Sequence, residues 1–396
     1  MAFMTLEEPK RRGTPDKSFA LWRLGFRPFY LLAAIFAAIA IPAWVAVLAG
    51  ALTPPIAGVW WHAHEMIFGF AAAVVVGFLF TAGRNWTGLP TPTGGTLAAL
   101  ALLWLAGRLF MAFDAGVVGT AIDVAFVPVA AAFLARVLWR AGSRRNYVIV
   151  IILALLTLAN IAFHLARFGV LAIDPLSALH AALAVLIVLE TTIGGRVIPS
   201  FTASALKGVK QWQRRWLDIA AIAATALALG AWVFASATTA AILLALLATL
   251  LQLLRCLGWN PWATRRQPLL WILHVSHLWI PIGLALLAAA QADWLPRSAG
   301  VHALTIGATA GLIIGMITRT ALGHTGRMIL PTRIETFAYL FVQLAAIARV
   351  ITLLAGPGPS LAGIHVAAGC WTLAFLLYLW RYTPFLFRPR IDGQPG

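Results

Sequence analysis

Acidic residues are scarce in this chain, 12 among 396 residues against 29 lysines and arginines, for a formal net charge of +17. Charged residues of both signs make up only 10% of the sequence while 62% is hydrophobic, a balance too apolar for a soluble domain of this length. Cysteine is nearly absent. Cys256 and Cys370 stand alone without CxxC spacing, which excludes a cysteine zinc site, a thioredoxin motif and covalent c-type haem attachment. There is also no phosphate loop, dinucleotide fingerprint, nucleophile elbow or HExxH motif. No Ala-x-Ala site follows the first apolar run, which is too long for a signal-peptide core and is expected to stay uncleaved.

Long apolar runs fill the space these motifs leave. Roughly 20 apolar residues cross a bilayer core as a helix, and twelve such runs can be marked, at about 29–50, 59–83, 95–113, 116–140, 147–170, 176–198, 217–236, 239–257, 270–290, 302–322, 335–355 and 361–383. Barrel strands would alternate apolar and polar faces, whereas Thr239 to Leu254 is almost continuously apolar. The expected fold is therefore all-α, a polytopic membrane protein of about twelve transmembrane helices. A basic N-terminal segment, 1–28, precedes the membrane domain, 29–383, and a tail, 384–396, follows it.

The placement of the basic residues explains the net charge. Lys10, Arg11, Arg12, Lys17, Arg23 and Arg27 precede the first helix, and alternate loops carry Arg84, Arg144, Arg145, Lys207, Lys210, Arg214, Arg215, Arg265, Arg266, Arg327 and Arg333. The opposite loops offer only Arg297. This positive-inside bias places both termini in the cytoplasm and makes lipid, rather than nucleic acid, the expected partner.

Six of the nine histidines, His62, His64, His164, His180, His302 and His365, fall near the outer end of their helices. Ionisable side chains in membrane helices are costly and usually face a protein interior, and neutral imidazole suits haem iron and copper alike. A single boundary histidine is as readily a hydrogen-bonded helix-end residue; the group points to a bound metal or haem. His62 and His64 diverge by about 200° on a helix, so the two serve different partners unless the helix begins after them. His274 and His277 share a face and offer an alternative, inner site, with His324 on the same side. Glu65 and Asn160 are candidates to orient a ring from behind, and Glu190 is expected to pair with Arg196.

The second, sixth and tenth helices each begin with a histidine (His64, His180, His302) and carry an arginine toward the inner end (Arg84, Arg196, Arg319). The same thirteen-residue step separates His64 from Gly77 and His302 from Gly315. Three pseudo-repeats of four helices are the expected architecture. Gly307, Gly311 and Gly315 form a stripe suited to close helix packing or to a flat macrocycle, and it leads to Arg319, where a haem propionate could end.

Several segments together resemble the NnrS family of bacterial membrane proteins: Trp61-His62-Ala63-His64-Glu65-Met66, the entry Gly25-Phe26-Arg27-Pro28-Phe29, the stretch Gly194-Gly195-Arg196-Val197-Ile198-Pro199-Ser200-Phe201-Thr202, Leu273-His274-Val275-Ser276-His277-Leu278-Trp279 and Thr318-Arg319-Thr320-Ala321-Leu322-Gly323-His324-Thr325-Gly326-Arg327. The resemblance covers nearly the whole chain. It implies an inner-membrane protein that contains haem and copper and protects bacteria from nitric oxide and nitrosative stress, often alongside denitrification. On that reading His64 and His302 are the candidate haem pair, with Arg319 at the cofactor, and His62, His164 and His180 are candidate copper or distal ligands. His274 with His277 remains the alternative site.

Outer-face histidines on helices two, six and ten also resemble the catalytic subunits of haem–copper oxidases and nitric oxide reductases. The seventh helix, however, has no His-His pair, the tenth has one outer histidine in place of His-x-His, and no tyrosine follows His180 by one turn. A nitric oxide reductase-like enzyme is thus one alternative, and a secondary transporter using intramembrane His, Glu and Arg is another.

Overall fold

The computed structural model describes residues 19–54, 56–114, 116–356 and 361–394, so Lys10, Arg11, Arg12 and Lys17 lie outside the described residues. Every regular element among them is helical. Twelve helices are long and apolar enough to cross a membrane: α1 (Phe26–Leu48), α2 (Gly58–Thr87), α3 (Gly94–Phe113), α4 (Gly116–Arg140), α5 (Arg144–Arg167), α6 (Pro175–Ala205), α7 (Arg215–Phe234), α8 (Thr239–Gly258), α9 (Pro268–Gln291), α10 (Arg297–His324), α11 (Arg333–Leu354) and α12 (Leu361–Phe387). The chain is a multi-pass membrane protein. Its outward faces carry residues such as Leu102, Phe113, Leu227 and Phe234, all well exposed; apolarity inside and outside alike is what hydrocarbon as solvent demands.

The helices follow the expected number, and some of their ends run past the apolar runs into exposed polar residues such as Ser200, Ser204 and Arg297. α6 extends to Ala205 and α10 begins at Arg297, beyond runs that hydropathy alone marks.

The contacts repeat every four helices. The last helix of each block packs on the first of the next: α4 on α5, α8 on α9 and α12 on α1. The first helix of each block also meets the second of the block before it, α1 with α10 and α9 with α6 by packing, and α5 with α2 through Asn160 and His64. The second helices therefore stand at the centre, and α6 touches both α2 and α10. α2 and α10 share a further device: a π-helical stretch follows His64 at Glu65–Ala71 and follows His302 at Ala303–Ala310. Such stretches shift the phase of the helix face and recur at functional sites.

Arg27 adds to the packing of α1 on α12 that closes the ring. Fully buried at the start of α1, it donates to the carbonyls of Phe385, Leu386 and Arg388 at 3.2, 2.9 and 2.8 Å, satisfying the last carbonyls of α12.

The glycine stripe of α10 packs against α9 and leaves no face for a macrocycle. A Cβ at Gly307 would lie 2.3 Å from the Trp279 ring, one at Gly311 2.2 Å from Ser276 Oγ, and one at Gly315 2.7 Å from Leu273. Replacing Gly311 by Val is expected to cost about 1–3 kcal/mol through overpacking. Thermal unfolding in detergent checks it, against Gly95→Val, whose added atoms meet open space.

A candidate metal centre beside an imidazole-lined cavity

α2, α6 and α10 begin at one end of the bundle, called here the upper end, and there the histidines of α2 separate. The helix is already formed at Gly58, so His62 and His64 do point in different directions. His62 turns toward α1 and stacks on Trp44, with ring centroids 4.7 Å apart and planes 7° from parallel. His64 is fully buried on the other side.

His64 belongs to a polar cluster among α2, α3, α4 and α5. Its Nδ1 lies 2.9 Å from Glu65 Oε1, and its Nε2 lies 3.0 Å from Asn160 Oδ1 and 3.2 Å from Asp123 Oδ2. Asn160 donates from Nδ2 to the same Asp123 Oδ2 at 2.9 Å. His164 approaches Asp123 Oδ2 with Nε2 at 3.0 Å while its Nδ1 meets Thr120 Oγ1 at 3.2 Å. Arg108 donates to both carboxylates, Glu65 through Nη1 and Asp123 through Nη2. All six of the residues that carry charge or act as metal donors or orienters here, Glu65, His64, Arg108, Asp123, Asn160 and His164, are buried.

Two glycines open the way for the guanidinium. A Cβ at Gly69 would come within 3.2 Å of Arg108 Cδ, and one at Gly107 within 3.3 Å of Asp123 Cα, so the arginine stem and α4 approach as closely as they do only beside glycine. Trp104 Nε1 donates to the Gly69 carbonyl at 3.0 Å and holds α3 against the π-helical turn.

One donor atom each from His64, Asp123 and His164 lies within 4.8 Å of the others. Two imidazoles and a carboxylate are a ligand set for a first-row transition metal, and Glu65 and Thr120 hold the far ring nitrogens as supporting groups commonly do. Both His64 nitrogens face acceptors, so without a metal His64 carries both protons and the two carboxylates are balanced by it and by Arg108; a metal ion would take the place of the proton on Nε2.

The second site is a cavity of about 390 Å³ at the upper end, bounded by α1, α2, α6, α10, α11 and α12. Its polar lining includes His62, His180, His302, Arg297, Arg349 and Asp174, amid apolar residues such as Phe70, Leu183 and Trp371. His302 Nδ1 donates to the Ser298 carbonyl at 2.8 Å; a carbonyl only accepts, so Nε2 keeps its lone pair. Buried His62 Nδ1 and Arg349 Nη1 have no partner among the described residues. His180 also packs on Trp232, at 4.7 Å between rings.

The structure thus divides the histidines that sequence groups by depth. His62, His180 and His302 line the cavity, while His64 and His164 meet at Asp123. It does not bring His64 and His302 together as a pair, because both His64 nitrogens are engaged in the cluster. His365 is exposed on α12. His274 and His277 both pack against Trp259; His274 Nε2 lies 2.9 Å from Thr202 Oγ1, and His277, fully buried, has no partner for either nitrogen among the described residues. His324 packs its ring against Phe26. Arg319 sits over the Phe201 ring, 4.1 Å from its centroid, remote from the cavity lining.

Glu190 does not pair with Arg196 among the described residues. Arg196 donates to Asn146 Oδ1 at 3.1 Å, and Glu190 Oε2 is left without a partner. Asp123 and Arg108 escape a histidine-centred reading of the sequence. The signal for both is a charge inside an otherwise apolar run, the cost of which demands a partner.

A family model described as NnrS protein matches residues 20–390. No curated protein matches the chain.

Removing Arg108 would strand two buried carboxylates, and Arg108→Leu is expected to cost about 3–5 kcal/mol. Adding Asp123→Asn to that variant removes one stranded charge and should recover part of the loss. Melting curves in detergent decide this, and losses that simply add would contradict the bridge.

Proposed function

The chain belongs to the NnrS family, and from that premise we propose that it is a haem- and copper-binding membrane protein that limits the harm done by nitric oxide by binding it. The upper cavity is the haem site in this reading. The observation that carries it is His302, held with a free Nε2 lone pair in a cavity that also contains two guanidiniums, those of Arg297 and Arg349. A neutral imidazole suits haem iron, and the guanidiniums suit the two carboxylates of a haem.

His302 would hold the haem iron, and the chemistry a haem would supply there is the binding of nitric oxide at that iron. The rest falls to the chain. Ser298 fixes the tautomer and orientation of His302. Arg297 and Arg349 anchor an anionic edge, and Phe70, Leu183 and Trp371 exclude water from the pocket. His62, kept flat by Trp44 and with Nδ1 free, is placed to donate to or coordinate a ligand in the cavity.

Copper is assigned to His64, Asp123 and His164. Two imidazoles and a carboxylate are nitrogen and oxygen donors that suit copper, which would displace the His64 Nε2 proton, and Glu65 and Thr120 orient the imidazoles. Arg84, Arg144, Arg145, Lys207 and Lys210 flank the opposite end of the bundle. The positive-inside rule supports cytoplasmic termini, and with the family's bacterial inner membrane the proposal has the cavity at the outer face of that membrane.

Absorption spectra and metal analysis of detergent-purified protein, with and without nitric oxide, test this reading. His302→Ala should lose haem and its nitric oxide-induced Soret shift while keeping copper, and His164→Ala should lose copper while keeping haem. Wild-type protein that carries no haem, or a His302→Ala variant with an unchanged spectrum, would refute it.

A further inference from the structure

A second, smaller cavity of about 90 Å³ lies below the first, lined by α2, α6, α9 and α10. The two are neighbours: Leu186 lines both, and Glu190 of the lower one faces Thr309 of the upper one. Apart from Glu190 the lower lining is apolar. Its residues Val74, Glu190 and Leu312 stand near the middle of spans of 30, 31 and 28 residues, at the depth of the hydrocarbon core. Val75, Phe78, Ile193 and Met316 are only partly buried, so the chamber reaches the lipid-facing side of the bundle.

Size and polarity limit what can use it. A dry cavity of roughly 150 Å³ takes benzene or xenon; this chamber is smaller, which excludes a macrocycle or an acyl-chain amphiphile and leaves room for a diatomic molecule. An apolar wall at mid-membrane admits a solute that already resides in hydrocarbon, and it offers little to an ion or to bulk water.

We propose that this chamber is the membrane-side entry by which a small apolar ligand, nitric oxide, passes from the bilayer into the upper cavity, with Leu186 as the gate between them. The proposal rests on the reading of the upper cavity as the site where nitric oxide binds. Passage needs only that the Leu186 side chain change rotamer, a fast motion compared with helix rearrangement. Glu190 and Thr309 mark the polar end of the route, where the apolar chamber meets the imidazole-lined space.

Xenon, applied under pressure to the purified protein, is the probe for the chamber itself. It should occupy the lower chamber whether or not haem is present, and no xenon there would overturn the proposal. Ile193→Trp narrows the chamber from its lipid side without lining the upper cavity, and should slow nitric oxide binding to the reduced protein at least about tenfold, with haem content unchanged. An unaltered rate in that variant would also overturn it. Leu186→Trp, which fills the wall shared with the upper cavity, gives the same readout per bound haem if Ile193→Trp does not fold. Purified wild-type protein that carries no haem would refute the haem reading alone, and the entry is then judged by xenon exchange, which Ile193→Trp should slow.

Discussion

Arg108, reaching from α3 to Glu65 of α2 and Asp123 of α4, is the interaction on which the upper half of the bundle depends. Two carboxylates within hydrocarbon are untenable alone, and one guanidinium between them makes the burial of Glu65, Asp123 and the histidines bound to them affordable. Gly69 and Gly107 give the arginine its passage, and Trp104 secures the helix that carries it. Once His64 is committed to this cluster, the cavity on the other side of α2 is left to His62, and the two sites become distinct.

That division follows from helix geometry in α2. Residues two apart face nearly opposite ways on a helix, and the π-helical stretch at Glu65–Ala71 begins only after both histidines, so it cannot merge their directions. The matching stretch after His302 in α10 puts the same device at the corresponding place of another block. Sites therefore arise between the blocks and beside the central helices, where polar side chains are sheltered from lipid by neighbouring helices.

Much of the fold was legible in the chain itself. Apolar runs of span length fixed the helix number, and the spacing of His64, Gly77, His302 and Gly315 anticipated helices that share a design. The WHAHEM segment and its companions pointed to the family that the match over residues 20–390 establishes. The site was less legible. Depth along a helix can be read from sequence, but azimuth relative to neighbours cannot, so six histidines at one level read as a single group although they face a cavity, a buried cluster and the exterior. Glu190 and Arg196 were one pair on paper for the same reason, six residues apart on one helix, yet they point to Thr309 and Asn146. Asp123 and Arg108 are legible only as charges inside apolar runs, a signal that a histidine-centred reading does not weigh. The glycine stripe shows the converse: its ordinary packing meaning was the right one, with Trp279 and Ser276 filling the groove.

The central claim is that two separate centres flank α2, one at His302 and one between His64, Asp123 and His164. A high-resolution cryo-EM map of the metal-loaded protein tests it most directly. The account requires a macrocycle beside His302 in the upper cavity and a separate metal peak bounded by His64, Asp123 and His164. A single group held jointly by His64 and His302 would contradict it.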